Sequence, residues 1–323
     1  MAGVSLLLLV LLGCAVAPVV RADARAEDAL RLNELRVKGT HNSYHRHPLV
    51  ALHPTHRYDH DALMVQLEFH GVRALELDLH KAGDGRFEVY HIRMLDGRTH
   101  CRAFESCLAQ IRAWMDARPR HEPLLIWIEA KDFAGGQRIA SLREVDPVIR
   151  RFLGDRLISP DDVRGAHPSL RSALMSDGWP TLGDSRGRAL FMLVADDEQR
   201  AEYTSGFRHL DGRVMFVEAK PDEYEQSWAA VAKVWPEPSA TLRKARDLRL
   251  LLTSTVCTAG MEEALCTSFR RHAMSSGINV LLDDFVRPTR GRSDYLELGH
   301  ETIGRVPPLV ASPEEAADAG LGG

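Results

Sequence analysis

The feature that most constrains this chain is a set of eight short apolar runs, Leu35–Thr40, Ala74–Leu79, Phe87–His91, Leu124–Glu129, Ala189–Val194, Val214–Val217, Leu248–Ser254 and Ile278–Asp283. Most are nearly continuous rather than alternating, which is the pattern of strands covered on both faces. Between them lie amphipathic stretches that read as helices: Asp61–His70, Glu105–Asp116, Val145–Phe152, Tyr224–Trp235 and Glu262–Ser275. Asp61 is a candidate N-cap, and Pro119 stops the second helix. Eight strands alternating with helices predict a single α/β domain, a (β/α)8 TIM-type barrel with room for irregularity. A doubly wound open sheet is the alternative, but no glycine-rich nucleotide loop follows any strand.

The ends of the chain read differently. Val4–Val20 is an apolar run broken by Gly13, Cys14 and Pro18, and it leads through Arg21 into Ala22-Asp23-Ala24. That pattern predicts a signal peptide over residues 1–24, and export as a secreted or periplasmic protein. Leu11-Leu12-Gly13-Cys14 offers the alternative of a lipoprotein anchored through Cys14. The barrel is then expected over 25–306 and a disordered Gly/Ala/Pro-rich tail over 307–323. Without Cys14, four cysteines remain, and an even count in an exported protein favours two disulfides. Of three pairings, the short loops favour Cys101–Cys107 and Cys257–Cys266. A balance of 41 basic against 45 acidic residues demotes nucleic acid as a partner.

Functional side chains of a barrel gather at the C-terminal ends of its strands. Those ends carry Thr40-His41-Asn42-Ser43, Glu76-Leu77-Asp78, Tyr90-His91 and Glu129-Ala130-Lys131. Glu76 and Asp78 are two apart on one strand and so point to one side. Carboxylates held together repel unless a cation or proton sits between them. Asn42, Glu76, Asp78 and Glu129 therefore suggest an oxygen-rich pocket for a hard cation such as Ca²⁺, flanked by two histidines suited to acid–base work.

The segments GTHNSYH (Gly39–His45), ALELDLH (Ala74–His80), VYHIR (Val89–Arg93) and WIEAK (Trp127–Lys131) together resemble phosphatidylinositol-specific phospholipase C. The resemblance is to the secreted, Ca²⁺-dependent bacterial branch, and it is firm over Leu35–Lys131 and looser beyond. It implies His41 and His91 as catalytic residues, and Asn42, Glu76, Asp78 and Glu129 as Ca²⁺ ligands. It further implies attack of the inositol 2-hydroxyl on phosphorus, releasing diacylglycerol and a cyclic phosphate. The substrate would be a phospholipid at a membrane surface, met by a peripheral, monomeric enzyme. By position, Lys131 and Arg93 are candidate substrate-binding residues.

Glu218-Ala219-Lys220 repeats the acidic–basic pattern of Glu129-Ala130-Lys131, as a second pair at the mouth or as a surface salt bridge. Leu282-Asp283-Asp284-Phe285 ends the last strand with less hydroxyl and aromatic character than an inositol seat would suggest. Ten of the 15 histidines lie between His41 and His100. His45, His47, His53, His56 and His60 read as a mobile lid or substrate rim rather than a zinc site, and His80 and His100 as structural or exposed. The competing functions are a glycerophosphodiester phosphodiesterase, whose His-Arg-Gly opening is replaced here by Gly-Thr-His-Asn-Ser, and a non-catalytic inositol- or glycan-binding barrel.

Overall fold

The computed structural model describes residues 26–131, 137–298 and 303–306; the expected leader and tail lie outside these residues. Its ten strands are β1 (Leu35–Thr40), β2 (Val72–Lys81), β3 (Phe87–Val89), β4 (Leu124–Ala130), β5 (Ala189–Val194), β6 (Met215–Val217), β7 (Val231–Lys233), β8 (Leu251–Cys257), β9 (Val280–Asp283) and β10 (Ile303–Arg305). Eight run in the order β6-β5-β4-β2-β1-β9-β8-β7, every neighbouring pair parallel. A parallel bridge between Glu218 and Val231 brings β6 to β7 and nearly closes the barrel.

The strand count matches the expected eight, but the membership does not. Phe87–Val89 is not a barrel strand; β3 folds back antiparallel on the end of β2, pairing Val89 with Leu79. The missing member is β7, in a segment expected as the helix Tyr224–Trp235. Trp228-Ala229-Ala230-Val231-Ala232-Lys233 is rich in alanine, whose helix propensity disguises it. The open slot between β6 and β8, where Val231 pairs with Leu251, imposes the extended form. A tenth strand, β10, adds antiparallel to the start of β1.

Apolar side chains fill both faces of the sheet. Leu124–Ile128 on β4 are all buried, and Trp127 reaches across the interior to donate to Thr253 Oγ1 on β8 at 3.0 Å. Outside the barrel, the helix Phe104–Ala117 buries Phe104, Leu108, Ile111 and Met115, one stripe at helical spacing. Burying each such side chain contributes about 1.5–3 kcal/mol. Asp61 does not cap the helix Leu63–Phe69, whose N-cap is Ala62; its carboxylate instead holds His70 and Arg287, each at 2.8 Å. The disulfides are Cys101–Cys107 and Cys257–Cys266, the pairing that the short loops favour. No helix among the described residues is long and apolar enough to cross a membrane.

Candidate active site

The turn after β1 is built by its own sequence. At Gly39 a Cβ would stand 2.7 Å from Ala74 Cβ and 2.7 Å from Leu282 Cδ2, so only glycine lets β1 pass between β2 and β9. Asn42 adopts a left-handed φ of 46°, which bends the chain across the barrel mouth. Ser43 pins that bend to β2: its backbone N–H donates to Glu76 O at 2.9 Å, and its Oγ accepts from Glu76 N at 2.8 Å. Gln66 donates to Ser43 O from behind at 2.6 Å. The result presents His41 and Asn42 over Glu76.

Glu76 and Asp78 are fully buried on β2, and the parallel register sets Asp78 beside Glu129 of β4. Two lysines stand among these carboxylates. Lys131 Nζ is 2.5 Å from Glu129 Oε1 and 3.6 Å from Asp78 Oδ2. Lys233 Nζ, from β7, is 2.5 Å from Glu76 Oε1. Burial opposes ionisation of Glu76, but Lys233 and His41 outweigh it and hold its carboxyl below the usual range. Asp78 goes the other way: burial, with the charges of Glu129 and Glu76, raises its carboxyl despite Lys131.

Both sequence-predicted histidines lean on a carboxylate that was not foreseen. His41 Nδ1 lies 2.9 Å from Asp284 Oδ1, while its Nε2 faces Glu76 Oε2 at 4.0 Å. Burial would depress the imidazolium, yet Asp284 and then Glu76 overcome that and push the His41 pKa to about 9. His91 Nδ1 lies 2.9 Å from Asp96 Oδ2, in the loop after β3 rather than at a barrel strand end. His91 is near enough for its charge to act on Asp78. Asp284 belongs to the Asp283-Asp284 pair that looked wrong for an inositol seat. Asp283 instead receives Arg270 through two bonds of 2.7 and 3.0 Å.

The remaining candidates separate. Arg93 turns toward Glu88, with its guanidinium nitrogen 3.9 Å from Oε2, on the hairpin side. Glu218 is buried, pairs with Lys220 at 3.2 Å, and adds its charge to the field around Lys233. In the histidine loop, His45 bonds Asp96 at 2.7 Å, and His60 bonds His41 O at 2.8 Å. These two residues, and His56, are buried wall rather than a rim. His80 stacks on Tyr90 with ring centres 3.7 Å apart, and His100 bonds His60 O at 2.7 Å; both are structural. Lys233 was missed because its segment reads as a helix, and Asp96 because nothing local links it to His91.

Oxygen is the only donor type that Asn42, Glu76, Asp78 and Glu129 offer, which suits a hard cation. Asp78 supplies the physical test: both its oxygens are buried without a hydrogen bond, a costly state that a bound Ca²⁺ would relieve. These residues therefore fit the ion. A cleft of about 620 Å³ opens beside them, lined by Tyr224, Lys233, Trp235, Ser254 and Thr255. A larger cavity, about 970 Å³, lies at the opposite end of the barrel by Asn33, Arg36 and Asn279 and contains none of these groups.

Among solved structures, the fold is similar to a Ca²⁺-dependent phosphatidylinositol-specific phospholipase C from Streptomyces antibioticus. That match has a TM-score of 0.62 and 24% identity over 80% of this chain and 96% of that one. It is also similar to a calcium-dependent phosphoinositol-specific phospholipase C from a Gram-negative Pseudomonas sp., at TM-score 0.60 and 17% identity over 87% and 96% of the two chains. The myo-inositol complex of that protein matches with the same TM-score and identity, over 87% and 97%. No curated protein matches the sequence. The family model of Ca²⁺-dependent phosphoinositide phospholipase C matches residues 84–308, taking in VYHIR, WIEAK and the second half of the barrel. With that span covering well over half of its length, the chain belongs to the Ca²⁺-dependent phosphoinositide phospholipase C family.

Proposed function

We propose that the protein is an exported enzyme that cleaves phosphatidylinositol at a membrane surface, with His41 and His91 as its two catalytic histidines. The observation that carries this reading is the pair of imidazoles, each held through Nδ1 by a buried carboxylate at 2.9 Å, beside three clustered carboxylates. That clamp leaves Nε2 of each ring for the reaction.

Asn42, Glu76, Asp78 and Glu129 would hold Ca²⁺, which supplies charge neutralisation at the phosphate and a lowered pKa for the attacking hydroxyl. Glu129 accepts the proton of the inositol 2-hydroxyl as that oxygen bonds to phosphorus. The raised pKa of His41 keeps it an imidazolium at neutral pH, so it stabilises charge on the phosphoryl oxygens. His91 delivers its Nε2 proton to the glycerol oxygen as the P–O bond breaks, giving diacylglycerol and a 1,2-cyclic inositol phosphate. Lys131 and Lys233 add positive charge beside the phosphate. In the adjoining cleft, the Ser254 hydroxyl is buried without a partner and Thr255 stands next to it, a seat for ring hydroxyls.

The rim supports the membrane part of the reading. Leu49, Val50 and Leu52 after β1, Met94 after β3 and Trp235 after β7 are all strongly exposed. Each follows a strand whose far end carries or adjoins a catalytic group, so they offer apolar side chains to a membrane on that side of the barrel. The two disulfides fit an oxidising compartment.

The test is ³¹P NMR of phosphatidylinositol vesicles treated with purified protein, in Ca²⁺ and in EGTA. A cyclic phosphate that forms only with Ca²⁺ and is lost in His41→Ala and His91→Ala supports the reading. Turnover of soluble glycerophosphodiesters alone, or activity that survives His41→Ala, overturns it.

A further inference from the structure

We propose that His56, His91 and Asp96 form a second cation site, selective for a borderline transition metal such as Zn²⁺, whose occupation switches the enzyme off. One ligand atom from each residue lies within 4.8 Å of the other two. The inference rests on the reading of His91 as the catalytic acid.

Asp96 is the hub of this cluster. Its Oδ2 is 2.9 Å from His91 Nδ1 and 3.9 Å from His56 Nε2. Its Oδ1 is occupied by His45 Nε2 at 2.7 Å, and His45 is itself fixed by stacking on Tyr58 with ring centres 3.9 Å apart. A ligating carboxylate oriented by an outer histidine is a usual supporting arrangement of metal sites. Tetrahedral Zn²⁺ with bonds of about 2.0–2.1 Å sets its donors about 3.4 Å apart. Asp96 and His91 therefore open by about 0.5 Å, and Asp96 and His56 close by about the same amount.

His56 is the residue that no other role explains. It is 6% exposed, its Nδ1 is buried without a hydrogen bond, and its Nε2 is beyond bonding distance from Asp96. A buried ring nitrogen without a hydrogen bond is destabilising. Burial, with the neighbouring histidines, also keeps His56 in the neutral form that binds metals, against the pull of Asp96. Two imidazole nitrogens and one carboxylate favour Zn²⁺, whereas the all-oxygen set around Asp78 favours Ca²⁺, so the two ions sort themselves.

Inhibition follows from proton count. To act as an acid, His91 must carry protons on both ring nitrogens. A metal on Nδ1 displaces that proton, leaves only the proton on Nε2 and removes the imidazolium form. No bond to substrate is needed for this effect.

The experiment titrates Zn²⁺ into Ca²⁺-loaded protein by calorimetry and, in parallel, into phosphatidylinositol cleavage assays. The expected result is one Zn²⁺ per chain and inhibition that excess Ca²⁺ does not relieve but a zinc chelator does. His56→Ala should retain Ca²⁺-dependent cleavage while needing at least tenfold more Zn²⁺ for both binding and inhibition. His56→Gln repeats the test should the alanine variant unfold. Absence of stoichiometric binding, binding unchanged in both variants, or relief by Ca²⁺ overturns the site. Stoichiometric binding lost in His56→Ala but without inhibition of the wild type overturns the switch and the acid role of His91, while leaving cleavage itself intact.

Discussion

Replacing Asp284 with asparagine isolates the contribution of a charge that touches no substrate. Asp284 is buried, its Oδ1 faces His41 Nδ1 at 2.9 Å, and its Oδ2 accepts from Ala259 N at 2.7 Å. Two unit charges about 4 Å apart interact by about 4 kcal/mol at an effective dielectric of 20, and a charge-assisted hydrogen bond contributes about 1.5–3 kcal/mol. Asparagine keeps the shape but offers one oxygen for two donors. A net loss of about 2–3 kcal/mol follows, which lowers the His41 pKa by roughly 1.5–2 units. The wild-type imidazolium, with its pKa raised to about 9, persists across neutral pH. In Asp284→Asn it is lost near neutrality. With saturating Ca²⁺, kcat on phosphatidylinositol is therefore expected to fall about 8- to 25-fold at pH 8.5, as the imidazolium fraction does, and much less at pH 6. The basic limb of the pH–rate profile moves down by 1.5–2 units. A variant within twofold of wild type at every pH, with the limb unmoved, refutes the claim that Asp284 sustains the charge on His41.

Three further outcomes are expected. Because Asp78 has its carboxyl raised by burial and by Glu129 and Glu76, Ca²⁺ binding should release up to about one proton per ion, more at pH 6 than at pH 8. Calorimetry in two buffers of different ionisation heat reads this release, and Asp78→Asn should abolish it. Leu49→Ala should weaken partition onto phosphatidylinositol vesicles about tenfold while leaving hydrolysis of a monomeric soluble substrate unchanged, as sedimentation and NMR would report. Asp146 has its pKa raised to about 6 by burial, against the Tyr203 hydroxyl that donates to it at 2.6 Å. The folded state therefore keeps a proton that the unfolded chain loses from about pH 4 upward. Stability falls as pH rises from about 4 to 6 and remains lower above that, by on the order of 2–3 kcal/mol. Asp146→Asn should raise the Tm at pH 8 relative to wild type and not at pH 4, in thermal scans across pH.

What the sequence by itself determined is local. Continuous apolar runs such as LLIWIEA at Leu124–Ala130 can bury both faces only inside a covered sheet, so a parallel barrel was legible from the order of its strands and helices. The same holds for the strand-end groups: Glu76 and Asp78 share a face because strands repeat every two residues. Tertiary structure decided whatever depends on partners distant in sequence. The Ala-rich Val231–Lys233 became a strand only because neighbouring strands left it a slot, and that slot delivers Lys233 to Glu76, 157 residues away. Phe87–Val89, apolar enough for the barrel, was diverted into a hairpin by its nearness to β2. The charges that tune the histidines were hidden for the same reason. His41 meets Asp284 across 243 residues of chain, and His45, His56 and His91 converge on Asp96 only after the loops fold. Backbone periodicity is written within a few residues, but an electrostatic partner is chosen by distance in space, which the barrel creates as it closes.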